Sequence, residues 1–366
     1  MNKNYLFQLN HPAHYHLFKN TIKSLKKAGH NVHISIKNKD ILKELLNGYD
    51  YFVISEAYRR KNLFSIIQGV IKRDVAFLKL VKRLKPDIMV GTSPEIGHIR
   101  RFVNVPAIFF GEDDVTISKE LFLGSLTCYP FFDTIISPKG CNNSIWNKKT
   151  IFYDGFQKLA YLHPNWFVPD RRKVHLPVNQ RYFVLRFSNL DAYHDINASG
   201  IDNNIGIELI RILEKHGEVL ITSEREIPLE FEKYRFKGNL NDIHHYLYYA
   251  DFYIGDSQSM AIESAMLGTP SIRFNNFVGR IGVLNELENE YKLTYGIRVN
   301  EKNKLINKLN WLLRNYNDTK ELLQKRRNKM LTQKIDVTAF MVWFIEKYPD
   351  SFKIMKENPD YQYNFK

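Results

Sequence analysis

The feature that most constrains this chain is a repeated alternation of short β-prone runs with stretches whose apolar residues recur at helical spacing. Tyr5 to Leu9 is β-prone, Asn10 to His16 is loop-like, and Leu17, Phe18, Ile22, Leu25 and Ala28 then share one helical face up to Gly29. Val32, Ile34 and Ile36 alternate with His33, Ser35 and Lys37, as in a strand. The same rule predicts a helix over 41–46, a strand over 51–54, a long helix over 63–84, a strand over 87–91, a helix after Pro94, and strands over 106–110 and 133–137. Strands joined by helices imply a parallel sheet covered on both faces, because each crossover passes over one face before the next strand begins.

The segment 155–178 breaks the pattern with Pro164, Pro169, Pro177 and the basic cluster Arg171 to Lys173, which reads as a connection. The alternation then starts again: strands over 182–187, 218–222, 251–255 and 271–274, with helices over 204–216, 242–249 and 257–267. Polar helices over 302–333 and an aromatic-rich segment over 337–348 follow. With 366 residues, two cores are a better expectation than one. The reading gives two doubly wound α/β domains, 1–165 and 166–335, and a C-terminal helical segment, 336–366, for which a return to the first domain is one arrangement. Facing each other across a cleft, such domains would present ligand-binding loops at the carboxyl ends of their strands.

Composition narrows the partners. A formal net charge of +14 calls for an anionic one: a phosphorylated small molecule, a phospholipid surface or a nucleic acid. No zinc-finger spacing, basic zipper or aromatic ribonucleoprotein motif is present, so nucleic acid is not expected. Cys128 and Cys141 form no disulfide framework and match no zinc spacing, which fits a reducing compartment. No apolar run approaches the roughly 20 residues that span a bilayer, and none near the N-terminus suits a signal sequence, so a cytoplasmic protein is expected.

The clearest chemistry lies in residues 251–270, where a strand, a small polar turn and a helix ending at Gly268 follow one another. Ser257 to Met260 would occupy the first turn of that helix, where backbone N–H groups and the positive end of the helix dipole suit a phosphate or diphosphate. Ser257 and Ser259 could add hydroxyl donors, or could simply cap the helix. Glu263 follows Ser259 by four residues, about 6 Å along the axis, which matches the reach from a diphosphate to its ribose. A solvated or salt-bridged surface glutamate is the alternative, but the apolar Ala261, Ile262, Ala265, Met266 and Leu267 favour a buried helix whose polar start serves a ligand.

The stretch YYADFYIGDSQSMAIESAMLGTPSI resembles the donor-binding segment of GT-B glycosyltransferases and of the related UDP-N-acetylglucosamine 2-epimerases. The opening LNHPAHYHLFKNTIKSLKKAGHNV and the connection DGFQKLAYLHPNWFVPD are similar to a poorly characterised prokaryotic branch of that superfamily. The resemblance covers most of the chain and implies a GT-B fold. It maps Ser257, Ser259 and Met260 to the diphosphate turn and Glu263 to the ribose. Arg186 and Ser188, at the end of the second domain's first strand, fall where such enzymes often hold a further phosphate, although Arg186 could pair with a structural carboxylate instead.

His11, His14 and His16 lie in the loop after the first strand, where some GT-B transferases place their base. His14 is the first candidate and His11 the second; helix capping is the alternative role, and no partner at ligand spacing suggests a metal. Glu112, Asp113 and Asp114 follow the strand over 106–110 and offer a base, a group to orient a histidine, or a solvated turn. Glu112 stands near an essential epimerase glutamate, but Gly91, Thr92, Ser93 and Pro94 replace the partner aspartate, which argues against epimerisation. The expectation is therefore transfer from a nucleotide-sugar donor, a UDP-sugar, to a glycan or lipid-linked acceptor in cell-surface polysaccharide synthesis, without cofactor or metal. The runners-up are a 2-epimerase and a noncatalytic cationic module.

A last expectation concerns the cationic stretch from Arg59 to Lys85. Arg59, Arg60, Lys61, Lys72, Arg73, Lys79, Lys82, Arg83 and Lys85 stand against one acid, Asp74. If Ile67, Val70, Ile71, Val75, Leu78, Val81 and Leu84 face the core, the cations project outward and predict salt-sensitive association with an anionic membrane surface.

Overall fold

The computed structural model describes all residues except 1, 39–41, 57–62 and 189–199. The chain divides into two compact units, one formed by Met1–Tyr161 with Ile335–Lys366, the other by Leu162–Lys334. The sequence reading puts the corresponding breaks after 165 and 335.

The first unit is built on seven strands, β1 (Asn4–Leu9), β2 (Asn31–Asn38), β3 (Phe52–Glu56), β4 (Ile88–Gly91), β5 (Ala107–Phe110), β6 (Thr134–Pro138) and β7 (Thr150–Tyr153). They form one parallel sheet in the order β3-β2-β1-β4-β5-β6-β7. The order reverses at β1 and β4, so the loops after these two strands diverge at a switch point where open sheets bind ligands. The central strands read as continuous apolar runs because both faces are covered: Leu6, Phe7, Met89, Val90, Ile108 and Ile135 are buried. The segment Ile335–Lys366 completes this unit. Its helix Val337–Glu346 buries Phe340, Met341, Phe344 and Ile345, Thr338 Oγ1 donates to Ala160 O at 2.6 Å, and Asp154 N donates to Gln362 Oε1 at 2.6 Å.

The second unit carries β8 (Tyr182–Phe187), β9 (Glu218–Ser223), β10 (Phe252–Gly255), β11 (Ser271–Phe274) and β12 (Tyr295–Ile297), again parallel, in the order β12-β11-β10-β8-β9. Phe183, Leu185, Phe252, Ile254 and Ile272 form the middle of its core, with Leu209 and Leu213 of the helix Asn203–Leu213 on one face. The switch in order lies between β8 and β10, so the site-bearing loops of this unit follow those strands.

One expectation is overturned. On the helix Leu63–Leu84, Ile67, Ile71 and Val75 are exposed, not packed in the core; Phe77, Leu80 and Val81 make the buried contacts. At about 100° per residue Ile71 stands opposite Leu80 and Val75 nearly opposite Phe77, so these side chains turn away from the buried face of the helix. Of the cations on this stretch, Lys72, Lys79, Lys82, Arg83 and Lys85 are exposed; Arg59, Arg60 and Lys61 lie outside the described residues. Among the described residues no helix is long and apolar enough to cross a membrane.

Candidate functional site

In the second unit, β8 and β10 are neighbours in register, with Gly255 opposite Arg186. Only glycine fits there, because a Cβ would collide with the Tyr253 hydroxyl and stand 2.8 Å from Arg186 Cβ. Asp256, the next residue, is buried. Its Oδ1 accepts the Ser188 N–H at 2.7 Å, its Oδ2 accepts the Ile201 N–H at 3.3 Å, and its carbonyl oxygen accepts Asn275 Nδ2 at 2.9 Å. Burial raises the Asp256 pKa, and the hydrogen bonds from Ser188 oppose that rise. This carboxylate thereby ties the exit of β8 to the exit of β10, and its carbonyl ties in the exit of β11. Sequence reasoning passed over it because an aspartate after a strand reads as an ordinary turn residue.

Ser257 caps the helix Gln258–Leu267, accepting the Met260 N–H at 3.3 Å, which leaves its own O–H able to donate. Ser259 is exposed in the first turn. From Met260 to Leu267 the helix is buried, as its apolar composition predicts. It ends at Gly268 with φ 71°, where the chain turns left-handed. Glu263 keeps only 8% of its surface exposed, and its Oε1 lies 3.3 Å from His244 Nε2.

His244 sits on the helix Ile243–Tyr249 and was not singled out from the sequence. A His-His pair in a short aromatic helix gives no local signal that one ring reaches a glutamate on the next helix. The other ring, His245, accepts the Asp170 N–H at its Nδ1 at 2.9 Å, and burial lowers its pKa. Arg186, half-buried, is paired with Glu224, and its Nε is buried without a partner. The structure thus gathers Arg186, Ser188 and Ser257 at two adjacent strand ends, with Met260 and Glu263 further along the helix.

In the first unit, the loop after β1 and the helices Pro12–Lys27 and Pro94–Arg100 share a polar chain. Gln8 Nε2 donates to Asn10 Oδ1 at 2.6 Å, Asn10 Nδ2 donates to Glu95 Oε2 at 3.1 Å, and Glu95 Oε1 pairs with Arg73 at 2.7 Å. His14 Nδ1 accepts the Asn10 N–H at 3.1 Å, and His11 Nδ1 accepts the Ala13 N–H at 3.2 Å as the helix cap. A neutral imidazole with Nδ1 accepting carries its proton on Nε2. In both rings Nδ1 is thus engaged by the backbone at the start of the helix Pro12–Lys27. Glu112, the other leading candidate, follows β5. Lys158 Nζ lies 2.7 Å from its Oε2, and the Gln157 N–H donates to Oε1 at 3.0 Å, so the carboxylate anchors the 157–158 turn. Asp113 is exposed beside it, whereas Asp114 is buried and receives the Asn142 N–H at 2.5 Å.

No protein-family model and no curated protein matches the chain in sequence. Solved structures do match along nearly its full length. A UDP-GlcNAc 2-epimerase from Neisseria meningitidis, bound to UDP-GlcNAc, superposes with a TM-score of 0.62 at 12% identity over 87% of this chain and 94% of its own. MnaA of S. aureus, bound to UDP, gives 0.65 at 12% identity over 95% and 97%. A glycosyltransferase from Rickettsia africae gives 0.56 at 14% identity over 96% and 100%. Two open parallel sheets, each wound in both directions from a switch point, together with these likenesses, identify the fold of this chain as GT-B, the fold of glycosyltransferases and UDP-GlcNAc 2-epimerases.

Proposed function

We propose that this chain is a glycosyltransferase that moves a sugar from a UDP-sugar to a glycan or lipid-linked acceptor in cell-surface polysaccharide synthesis, on the cytoplasmic side of the membrane. The observation that carries the donor assignment is the buried Glu263, met by His244 and placed on the helix that Ser257 caps. A carboxylate at this position can accept both hydroxyls of a ribose. Ser257 and Ser259 receive the diphosphate together with the helix N-terminus. Ser188 and the backbone of Met260 frame it, and Arg186 exchanges Glu224 for the phosphate. These groups stabilise the departing UDP without a metal.

On the acceptor side, the loops after β1 and β5 carry the chemistry. Asp113, exposed after β5, takes the acceptor proton, while His14 and His11 orient the oxygens of the acceptor. The epimerase reading is weaker because Glu112 is held by Lys158 and the turn 91–94 carries no acid. Incubation with a panel of UDP-sugars, with and without glycan or lipid-linked acceptors, separates the readings. Acceptor-dependent release of UDP that survives EDTA supports metal-independent transfer, acceptor-independent change in the sugar identifies an epimerase, and failure to bind any nucleotide sugar removes both.

A further inference from the structure

The helix Leu63–Leu84 carries an apolar stripe that the core leaves outside. Ile67, Ile71 and Val75, four residues apart and so close to one line, are 49%, 56% and 46% exposed. On the helix Lys119–Cys128, Leu123 and Leu126 are 60% and 41% exposed. The short helix Pro94–Arg100 joins the two through one side chain: His98 Nδ1 lies 2.9 Å from Asp74 Oδ2, and His98 Nε2 lies 3.5 Å from Thr127 Oγ1. Ile71 precedes Asp74 by one helical turn, and Leu123 precedes Thr127 by one turn, so the apolar groups flank a common strip.

Charge sets what this strip can meet. Lys72, Lys79, Lys82 and Arg83 are exposed along the first helix, and Lys119 opens the second. The acids on these three helices are Asp74, Glu95 and Glu120; Asp74 is engaged by His98, and Arg73 lies 2.7 Å from Glu95. A second copy docked on the same face would set lysines against lysines. A lipid surface satisfies both features at once, with phosphates for the ammonium groups and the headgroup–acyl boundary for the isoleucines.

We infer that this face seats the protein on an anionic bilayer, with Ile67, Ile71, Val75, Leu123 and Leu126 entering the boundary and the lysines holding phosphates. The attachment has two components: an electrostatic one that salt screens and an apolar one that salt leaves in place. It rests on the proposed function only for its use, which is to bring the enzyme to a lipid-linked acceptor, and it involves no donor-binding residue.

The test is sedimentation with vesicles of 30% phosphatidylglycerol in phosphatidylcholine and with pure phosphatidylcholine, at about 0.1 M and 0.5 M salt. The wild type is expected on the anionic vesicles, with a fraction retained at the higher salt. Lys72→Gln/Lys79→Gln is expected to weaken binding at low salt about 25-fold, about fivefold for each cation. Ile71→Asn/Val75→Asn, at exposed positions, is expected to keep the melting temperature and lose the salt-resistant fraction. Wild type left in the supernatant, equal binding to both vesicles, or an apolar variant that binds like wild type overturns the inference. So does a wild-type dimer that the apolar variant dissolves, because the strip then belongs to a copy-to-copy interface. UDP affinity, measured on the same preparations, keeps a failure here separate from a failure of the donor site.

Discussion

A carboxylate taken out of water needs a polar partner, and Glu263 has His244 Nε2 at 3.3 Å. Glu263→Ala is expected to weaken UDP binding by about 1.5–3 kcal/mol, the usual worth of a hydrogen bond to a charged group, with little loss of melting temperature. His244→Ala should show a smaller loss for UDP, His244→Gln should recover part of it, and neither should change binding of 2′,3′-dideoxy-UDP, whose sugar offers no hydroxyl to Glu263. Calorimetry reads all three, and unchanged UDP affinity in folded Glu263→Ala would remove this residue from the site. Turnover separates the acceptor groups: Asp113→Asn is expected to cost roughly 100 to 10,000-fold in rate with donor affinity kept, and His14→Ala less. Equal turnover in Asp113→Asn would return the base to another residue. The sequence showed where these polar residues fall along the chain. It could not show that the Asn10 N–H selects the His14 tautomer or that Lys158 occupies Glu112, because both depend on contacts set by the fold. Cys128 offers an independent check on burial, which pushes its thiol up to about 12; iodoacetamide at pH 8 should leave it unlabelled until the chain unfolds.

Elements were legible where local signals agreed. The run of strand, polar turn, capped helix and glycine at 252–268 appears in the structure as β10, the Ser257 cap, the helix Gln258–Leu267 and the left-handed Gly268. A side chain at Gly268 would adopt a strained φ and meet Gln324 Nε2 at 2.6 Å. Gly268→Ala should therefore lower stability by about 1–2 kcal/mol in urea unfolding, and an unchanged midpoint would contradict that strain. Strands β7 and β12 were not legible: they are edge strands, defined by pairing with β6 and β11 that no local pattern shows. The helix Leu63–Leu84 fails differently. Its apolar residues offer more than one face, and only packing against the rest of the unit decides which of them is covered.

At the scale of the molecule, the sequence divided the chain into two α/β series but left the place of 336–366 open. In the structure that segment belongs with the first series, and Val337, Phe340, Met341, Phe344 and Ile345 are fully buried there. Removing 335–366 should expose their apolar seat and make the protein bind a hydrophobic dye and aggregate. The fragment 162–334, which holds its own sheet and the Glu263 site, is expected to stay soluble and to bind UDP; an unfolded fragment would show that it depends on the rest. The discontinuous first unit also has a consequence for biosynthesis. A ribosome makes β1 through β7 first, the whole second unit next and the helix Val337–Glu346 last. The unit that starts earliest is thus completed latest: its apolar groove must wait, shielded by chaperones or by transient collapse, while an independent body folds between its two pieces.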